Sequence, residues 1–440
     1  MPTIKFVDLF AGMGGIRLGF EKAFKEQGFK TECVLTSEIK PSAIETLKYN
    51  FSHKKLVGDI TKINISDIPE FDFLLAGFPC QAFSSAGNRD GFCDTRGTLF
   101  FDIERILKAR RPQGFLLENV EGLVNHEDGK TLDTILQSLK KLNYLVSWKI
   151  IDSKDFSLPQ SRKRIYIIGC LDNKFDFSKL KTMTPKKFKD IQEYGLKTID
   201  SDFTKKLLSH FSIDELKGKA IKDKRGGCNN INSWDFGLKG EVSDKQKELL
   251  RLLFKKRRLK KWAEEIGIDW MDGMPLTIEQ IKTFFNDAKL QEMLDDLVNK
   301  GYLKFEHPKA KIQKVINGNT VTRREFAIDK PKGYNIVTGK LSFEFSKILD
   351  PDGLSPTLVA ADVEKIGVID KNGIRKLSLR EGLRLFGYPE SYSLEIFNKN
   401  TTTRRKAFDL LGNTVAVPVI YAIAKEIAYI YEKSQIPVTS

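Results

Sequence analysis

The chain has 440 residues, of which 41% are hydrophobic and 30% charged, and its 73 Lys and Arg against 58 Asp and Glu give a net charge of +15. This composition is that of a globular protein and argues against an intrinsically disordered chain. No stretch reaches the roughly 18 apolar residues that a membrane span needs. The best one, 415–431, is interrupted by Lys425 and Glu426. The length suits one large domain and one smaller one.

Cysteine and histidine usage narrows the class of protein further. Five widely separated cysteines and four histidines argue against a disulfide framework and against a zinc site. The chain reaches the apolar stretch Ile4–Val7 almost at once, without the layout of a signal peptide. We therefore expect no secretion, no membrane partner and no bound metal.

The positive charge is concentrated in two stretches. Residues 239–262 hold ten Lys and Arg against three Asp and Glu, a net charge of +7, and residues 304–332 hold eight against three, a net charge of +5. A basic patch is the usual footprint of a nucleic-acid partner, whereas a solvated Lys-rich surface gives the same signal in isolated runs. Because the charge is concentrated in one part of the chain, we predict a polyanionic partner, without any implication for sequence specificity.

Residues 1–171 alternate short apolar strands with amphipathic helices. The predicted strands, each bounded by Gly, Pro, Asp or Asn, are Lys5–Phe10, Thr31–Ser37, Lys55–Ile60, Phe71–Ala76, Gly114–Glu118, Leu145–Ile151 and Arg164–Cys170. The predicted helices between them are Gly15–Glu26, Ser42–Asn50, Leu99–Ala109 and Thr131–Leu142. This alternation predicts an α/β fold with a doubly wound, mostly parallel sheet and helices on both faces.

From about residue 172 the alternation ends and the density of lysine rises. Helical blocks are predicted at Asp244–Ile266 and Thr277–Lys300, followed by a hairpin of Ile312–Ile316 and Thr320–Ile328 around an Asn-Gly turn. The last thirty residues are again helical in pattern. We predict a catalytic and cofactor-binding domain at 1–171, completed by 406–440, and a smaller target-recognition domain at 172–405.

One part of the middle region has a specific pattern within the basic segment 239–306. Thr277 is a suitable N-cap for a short helix, and a second helix, Leu290–Asn299, ends before Gly301. The strand Tyr302–Phe305 follows. Two helices, a turn and a strand resemble part of a winged helix-turn-helix, and an ordinary helical subdomain fits the same pattern.

The first predicted strand runs into a glycine turn. The residues of this turn that we assign to cofactor binding are Asp8, Phe10, Ala11, Gly12, Met13, Gly14 and Gly15. A doubly wound fold binds nucleotide-like cofactors at such a turn, although the Gly-x-Gly-x-x-Gly spacing is absent and a tight packing turn gives the same pattern. Glu38 ends the second strand, where an acid accepts hydrogen bonds from a ribose diol, and Asp59 ends the third. Exposed acids at strand ends are also common.

Candidate reactive groups follow the fourth and fifth strands. The chain turns through Pro79 into Cys80 at the ligand-binding edge of the sheet, where a thiolate is available as a nucleophile. Glu118 ends the fifth strand at the same edge, and a partly desolvated carboxyl there can act as an acid near neutral pH. Arg162 and Arg164 flank Lys163 just before a strand, suited to phosphate or carbonyl contacts or simply to a solvated turn.

Taken together, these motifs resemble a known family. Their order along the chain is Asp8–Gly15, Glu38, Gly58–Ile60, Gly77–Gln81, Arg96–Phe100, Glu118–Val120, Gln160–Arg164, Arg375–Glu381, Leu385–Pro389 and Gly412–Val415. This ordered set is similar to the DNA (cytosine-5)-methyltransferases of bacterial restriction–modification systems. Residues 172–350 match no motif, as expected for the target-recognition region of that family.

The resemblance implies S-adenosylmethionine as the cofactor. By similarity Phe10 packs on the adenine, Glu38 holds the ribose hydroxyls and Asp59, followed by Ile60, faces the adenine amino group. Asn413 and Thr414 return from the far end of the chain to complete the pocket. At position 39 the family often has an aromatic residue, whereas this sequence has Ile39, so the adenine would pack on an aliphatic side chain.

The resemblance also implies the chemistry. Attack of Cys80 on C6 of cytosine activates C5 for methylation, and Glu118 protonates or hydrogen-bonds N3. Arg162 contacts the cytosine or its phosphate, Arg164 orders the site and Asn119 supports the loop of Glu118. The base must leave the duplex for this reaction, and residues 81–96 are a candidate closing loop.

The expected partner is double-stranded DNA with a short specific sequence, held between the two domains against the basic stretches. The resemblance further implies a monomer in the bacterial cytoplasm, associated with the nucleoid and paired in function with a restriction endonuclease. RNA methylation on the same fold, a catalytically silent DNA-binding module and a nicotinamide oxidoreductase are the alternatives. The long basic middle region favours DNA over RNA. The joint presence of Cys80, Glu118, Arg162 and the cofactor residues argues against a silent module. An oxidoreductase would leave Cys80 and the missing Gly-x-Gly-x-x-Gly spacing unexplained.

Overall fold

The computed structural model describes residues 2–79, 99–223, 226–316, 319–337, 343–359, 363–398 and 401–435. Cys80, the predicted closing loop 81–96 and the predicted Asn317-Gly318 turn lie outside the described residues. The backbone divides into two compact units. The first unit is made of 1–194, 350–364 and 377–440, and the second of 195–349 and 365–376.

Alternating strands and helices open the first unit. In chain order they are β1 Thr3–Leu9, α1 Gly15–Glu26, β2 Lys30–Ser37, α2 Pro41–Asn50, β3 Leu56–Val57, β4 Phe73–Gly77, α3 Leu99–Arg110, β5 Gly114–Val120, α4 Lys130–Lys141, β6 Leu145–Asp152 and β7 Lys163–Cys170. All seven predicted strands and all four predicted helices are present, most within one or two residues of their predicted ends.

These strands form one sheet in the order β3-β2-β1-β4-β5-β7-β6. β1 to β5 pair in parallel, and β7 runs antiparallel to both β5 and β6. The predicted doubly wound, mostly parallel sheet is therefore confirmed. Only β3 is much shorter than predicted, because the side chain of Asp59 accepts a hydrogen bond from the Thr61 amide and starts a 3₁₀ turn there.

The second unit and the end of the first follow a different pattern. The elements are α5 Asp202–His210, α6 Ile213–Leu216, β8 Ala220–Ile221, β9 Asn230–Ile231, α7 Asp244–Lys256, α8 Lys261–Ile266, α9 Ile278–Lys282, α10 Leu290–Asn299, β10 Leu303–Glu306, β11 Lys309–Ile316, β12 Asn319–Phe326, β13 Gly333–Ile336, β14 Lys347–Ile348, β15 Ile366–Asp370, β16 Gly373–Lys376, α11 Leu379–Leu385, α12 Thr401–Gly412 and α13 Val417–Gln435. The helical block predicted at 244–266 is two helices, because the Trp262 indole N–H bonds the Lys256 carbonyl where α7 ends.

The unit boundaries differ from the predicted domains. We predicted 1–171 with 406–440 against 172–405, whereas 172–194, 350–364 and 377–405 belong to the compact first unit. Phe175 is buried in the core beside the sheet, and the Tyr392 hydroxyl donates to the Met13 carbonyl at 2.6 Å. The change in composition at residue 172 marks the end of the alternating pattern, not the end of the unit.

The C-terminal helix α13 packs against α1 on one face of the sheet. An 18-residue window within 402–434 is apolar enough to cross a membrane, but 72% of that window is buried inside the protein. Val419, Ile420 and Ile423 are fully buried in the same core as Phe20 and Phe24. The hydrophobicity of α13 is therefore accounted for by packing in the core.

Gly19 sets the distance between α1 and α13. A Cβ built at Gly19 would lie 2.7 Å from Cβ of Ile420 and 2.8 Å from the backbone nitrogen of Tyr421. These atoms belong to the helix backbone and its first side-chain atom, so they cannot rotate away. Close approach of the two helices at this point therefore requires glycine.

We predict that Gly19→Ala destabilises the protein, although alanine is the better helix former by up to about 1 kcal/mol. Overpacking costs about 1–3 kcal/mol, and contact with backbone puts this site at the upper end, so the net destabilisation should be about 2 kcal/mol. Urea unfolding followed by tryptophan fluorescence measures it. Gly122→Ala is the matched control, because a Cβ there meets nothing within 4 Å. An unchanged midpoint for Gly19→Ala would contradict the packing argument.

Candidate active site

A cavity of about 510 Å³ opens at the carboxyl edge of the sheet. Parallel strands of this fold place ligands at that edge, where the loops after β1, β2, β4 and β5 meet. Ten of the residues predicted for the site line it: Phe10, Gly12, Glu38, Ile39, Asp59, Ile60, Glu118, Arg162, Arg164 and Asn413. They come from both ends of the sequence. The motifs show only the order of these residues along the chain, whereas the fold brings them together at one cavity.

The glycine turn after β1 has a strained backbone. Phe10 has φ +53°, Gly12 φ +55° and Gly14 φ +74°, all in the left-handed region. Phenylalanine rarely adopts this conformation, and such strain is typical of functional turns. A Cβ at Gly12 would meet nothing within 4 Å, so this backbone faces open space at the cavity. A Cβ at Gly14 would lie 2.5 Å from the Phe51 ring, so that glycine is needed for packing.

The carboxylate of Glu38 organises the entrance to α2. One oxygen accepts a hydrogen bond from the Gly12 amide at 2.7 Å, and the other accepts from the amides of Ile39 and Lys40 at 2.8 Å each. The side chain thus joins the glycine turn to the loop after β2. Ile39 is 70% exposed at the cavity, so an apolar surface stands open beside the acid.

Asp59 and Asn413 lie at the cavity from opposite ends of the sequence. Asp59 uses one carboxylate oxygen to cap the turn at Thr61 and leaves the side chain partly exposed. The Asn413 side-chain amide donates to the Asp409 carbonyl at 2.8 Å, which anchors it at the end of α12. Ile60 is buried below Asp59.

Six predicted cofactor residues do not line the cavity. They are Asp8, Ala11, Met13, Gly14, Gly15 and Thr414. The Ala11 amide donates to the Ser37 carbonyl, and Thr414 is buried with its hydroxyl against that of Tyr388. A Cβ at Gly15 would collide with the same Tyr388 hydroxyl at 2.6 Å. The contacts described here support the turn on the side away from the cavity.

Asp8 is fully buried in β1 beneath the cavity. Neither of its carboxylate oxygens has a hydrogen-bond partner among the described residues. Burial raises the pKa of Asp8 to about 7, against a smaller opposing effect of the Arg17 guanidinium. Burial of an acid without a hydrogen-bond partner costs free energy of folding. Packing alone therefore does not explain an aspartic acid at this position.

Glu118 and Arg164 form the polar wall of the cavity. The Arg164 Nε lies 3.3 Å from a Glu118 carboxylate oxygen, and both side chains are largely buried. Burial raises the pKa of Glu118, and the guanidinium groups of Arg164 and Arg162 partly offset that rise. The arrangement can present a protonated carboxyl, oriented by an arginine, to a group in the cavity.

The strand register locates the segment that carries the predicted nucleophile. Gly77, the last residue of β4, pairs with Glu118 of β5. The Asn119 side-chain amide donates to the Phe78 carbonyl at 3.0 Å, which fixes the chain just before Pro79. The prediction for Asn119 as a support is consistent with this contact. Cys80 itself lies outside the described residues.

Arg162 lines the cavity, but most of its donors are already used. Its guanidinium donates to the carbonyls of Leu358, Thr414 and Gly412 at 2.9, 2.8 and 3.2 Å. Burial lowers the pKa of Arg162 to about 10, so the side chain remains charged at neutral pH. The described contacts are those of a side chain that holds backbone segments in place.

One contact at the cavity was missed by the sequence analysis. The Lys40 ammonium forms an ion pair with Asp409, which joins the start of α2 to α12. Lys40 also lines the cavity. The two residues are 369 positions apart, and neither belongs to a motif, so no local signal in the sequence could have predicted the pair.

The chain is similar to known proteins over nearly its whole length. The family model described as C-5 cytosine-specific DNA methylase matches residues 4–429. The chain is 56% identical to the Type II methyltransferase M.NlaIV of Neisseria lactamica, over 98% of this chain and all of that protein. It is 42% identical to the Type II methyltransferase M.HgiCI of Herpetosiphon aurantiacus, over 96% of each.

Among solved structures, the Dnmt2 methyltransferase of S. pombe aligns with a TM-score of 0.51 at 18% identity, over 98% of this chain and 100% of that one. At this identity the similarity shows the shared fold alone. The family match and the full-length relatives confirm the resemblance of the motifs. The chain belongs to the C-5 cytosine-specific DNA methylase family, and the protein is a DNA (cytosine-5)-methyltransferase.

Proposed function

We propose that the cavity binds S-adenosylmethionine, which when bound supplies a methyl group activated by its sulfonium. The open backbone at Gly12 leaves room for a ligand to approach the turn. The carboxylates of Glu38 and Asp59 suit a ribose diol and an adenine amino group. Phe10 and the exposed Ile39 provide apolar surfaces for the adenine ring. The set of donors, acceptors and space therefore fits the cofactor.

The target is C5 of a cytosine, and Cys80 is the nucleophile of the proposal. Its thiolate attacks C6, which forms a sulfur–carbon bond and shifts ring electron density so that C5 becomes nucleophilic. After C5 has gained the methyl group, loss of the C5 proton and departure of Cys80 restore the aromatic ring. This assignment is supported by the strand register. Gly77, which comes three residues before Cys80 in the sequence, pairs with Glu118.

Glu118 is the acid of the proposal. Its buried carboxyl donates to N3 of the cytosine and so stabilises the charge that develops when Cys80 attacks. Arg164, in contact with the carboxylate, orients it. Arg162 holds the surrounding loops in the positions at which cytosine or its phosphate would be met. The Glu118–Arg164 pair is the single observation that carries the proposed mechanism.

This reaction needs a cytosine outside the base stack, so we propose that the enzyme flips its target base from double-stranded DNA. The second unit, with its basic stretches, provides recognition of one short sequence. Because the similar full-length relatives are Type II methyltransferases, we propose that the modification protects DNA from a cognate restriction endonuclease. The enzyme would act as a monomer on the nucleoid in the bacterial cytoplasm.

The test of this function is bisulfite sequencing of DNA from a methylation-free host that expresses the chain. Methylated cytosines in a single short sequence context are expected. Cells that express Cys80→Ala are the control, and they should lack the modification although the purified variant still binds S-adenosylmethionine. Unmodified DNA from cells with soluble, cofactor-binding protein would contradict the proposal and favour the RNA alternative, which methylation assays on tRNA would then examine. Full methylation by Cys80→Ala would exclude the covalent mechanism.

The pH dependence of kcat/KM tests the role of Glu118. Because burial raises the pKa of this carboxyl, its proton persists to higher pH than on an ordinary glutamic acid. We predict that kcat/KM falls as the pH rises through that pKa. Glu118→Gln, which does not titrate, should reduce kcat/KM about 10²-fold and abolish this alkaline limb. The control Glu121→Gln, at an exposed position, should keep the wild-type kcat/KM and the alkaline limb. An unaltered alkaline limb in Glu118→Gln would show that another group titrates.

Cofactor affinity tests the role of Glu38. Removal of a charge-assisted hydrogen bond costs about 1.5–3 kcal/mol, so Glu38→Gln should weaken S-adenosylmethionine binding about 10- to 100-fold. Isothermal titration calorimetry measures this, with the affinity of the cofactor-free protein for DNA as a second readout that should not change. Glu45→Gln on the exposed side of α2 is the matched control. Equal cofactor affinities for the two variants would remove Glu38 from the binding site.

A further inference from the structure

Part of the second unit has a recognisable order of elements. α7 and α8 are followed by an extended residue, Leu276, which exchanges two backbone hydrogen bonds with Tyr334 of β13. α9, α10 and β10 come next, and β10 pairs antiparallel with β13. The hairpin β11–β12 is inserted between these two strands as a separate two-stranded sheet. Helices, a short sheet and a two-stranded ribbon in this order are the elements of a winged helix-turn-helix, with the hairpin in the position of the wing.

This segment has a core of its own. Leu249, Leu253, Leu294 and Ile336 are fully buried in one cluster drawn from α7, α10 and β13. The Tyr302 hydroxyl donates to the Gly240 carbonyl at 2.8 Å, which ties the start of β10 to the loop before α7. The described residues of the wing contribute nothing to that cluster, so the shape of the wing is not explained by core packing.

In helix-turn-helix proteins the second helix of the motif usually enters the major groove. Here that helix is α10, and it is acidic. It contains Glu292, Asp295 and Asp296 and no lysine or arginine, and the side chains of Glu292 and Asp295 are exposed. Asp296 is paired with Lys300 at the C-cap, but the carboxylates of Glu292 and Asp295 remain exposed and are repelled by the phosphates on both sides of a groove. The usual docking mode is therefore electrostatically unfavourable.

The wing has the opposite charge. β11 and β12 carry five Lys and Arg against the single acid Glu325. The register places Lys311 directly opposite Arg324, so both cations lie on the same face of the ribbon, where like charges destabilise a hairpin. Lys311 is partly compensated by Asp269 at 3.6 Å. Arg323 on the other face has no ion pair with any described carboxylate, and all three cationic side chains are exposed.

The ribbon also has a suitable shape. Two strands of eight residues span about 26 Å, and the major groove, about 12 Å wide, admits a two-stranded ribbon. An isolated hairpin of this size is only marginally stable in water, so a projecting, cationic one gains most from an anionic surface that orders it. Duplex DNA, the substrate of this enzyme family, provides that surface.

We propose that the second unit engages duplex DNA through the β11–β12 wing, with Lys311, Arg323 and Arg324 on the phosphates, and that α10 faces away from the DNA. This inference rests on the proposed action on double-stranded DNA. The proposal assigns DNA contact to the β11–β12 wing. It assigns no DNA contact to α10, although the corresponding helix usually enters the groove.

The test is the salt dependence of DNA binding by the full-length enzyme. The probe is an unmethylated DNA duplex that contains the sequence the enzyme methylates. Arg323→Gln/Arg324→Gln should reduce the slope of log Kd against log salt by about 2, close to one for each arginine–phosphate interaction that is removed, and weaken binding at low salt at least tenfold. The KM for DNA should rise with it, whereas kcat at saturating DNA should stay at the wild-type value because the cavity is untouched.

Two further variants make the test specific. Lys197→Gln/Lys205→Gln removes the same charge from exposed positions of the second unit outside the wing and should leave the slope unchanged. Glu292→Gln/Asp295→Asn on α10 should change Kd less than twofold. A wing variant with the wild-type slope, or an α10 variant with much altered affinity, overturns the proposal. Wild-type protein that neither binds nor methylates DNA would instead overturn the proposed function.

Discussion

The buried guanidinium of Arg162 is the group on which the geometry of the cavity depends. It donates to backbone carbonyls in two segments that are remote in sequence, at Leu358 and at Gly412 and Thr414. Burial of a cation is costly unless its donors are satisfied, and the rigid fork of arginine satisfies several carbonyl oxygens at once. Because Asn413 lies between two of these carbonyls, the same bonds hold it at the edge of the cavity.

This commitment of Arg162 also affects Glu118. Both arginines near that carboxyl act to lower its pKa, yet burial has the larger effect and the pKa is raised. If the Arg162 guanidinium faced the carboxylate as Arg164 does, the charged form would be favoured and the proton would dissociate at a lower pH. The two arginines therefore have different partners: Arg162 donates to backbone carbonyls, and Arg164 is paired with the Glu118 carboxylate. The pKa of Glu118 is raised because the effect of burial is larger than that of the two cations, of which only Arg164 is paired with the carboxylate.

The sequence predicted the sheet and most of the cavity, and the reason is local. Each strand is a short apolar run that ends in polar or glycine residues, and the fold directs all parallel strand ends to one edge, so Glu38, Asp59 and Glu118 had to lie along that edge. The glycine turn was recognisable from Gly12 and Gly14, but nothing in the sequence indicated the left-handed backbone of Phe10. Residues 172–194 and 377–405 were assigned to the wrong unit because their contacts, such as that of Tyr392 with Met13, join distant parts of the chain. Long-range pairs of this kind have no periodicity and follow no spacing rule.

The sequence predicted one part of the charge distribution, the basic hairpin, but not the acidic helix α10. The net charge of 304–332 and the Asn-Gly pattern predicted a basic hairpin, which β11 and β12 confirm. Averaging over the neighbouring region nevertheless hid that α10 is acidic, so the sequence indicated a nucleic-acid partner without indicating the element that meets it. The pairing of β10 with β13 resolves this, because it makes the hairpin an insertion that projects from a small, separately packed core. Electrostatic repulsion at α10 and the excess of cations on the ribbon then favour the same orientation toward an anionic duplex, with the wing as the element that contacts the phosphates.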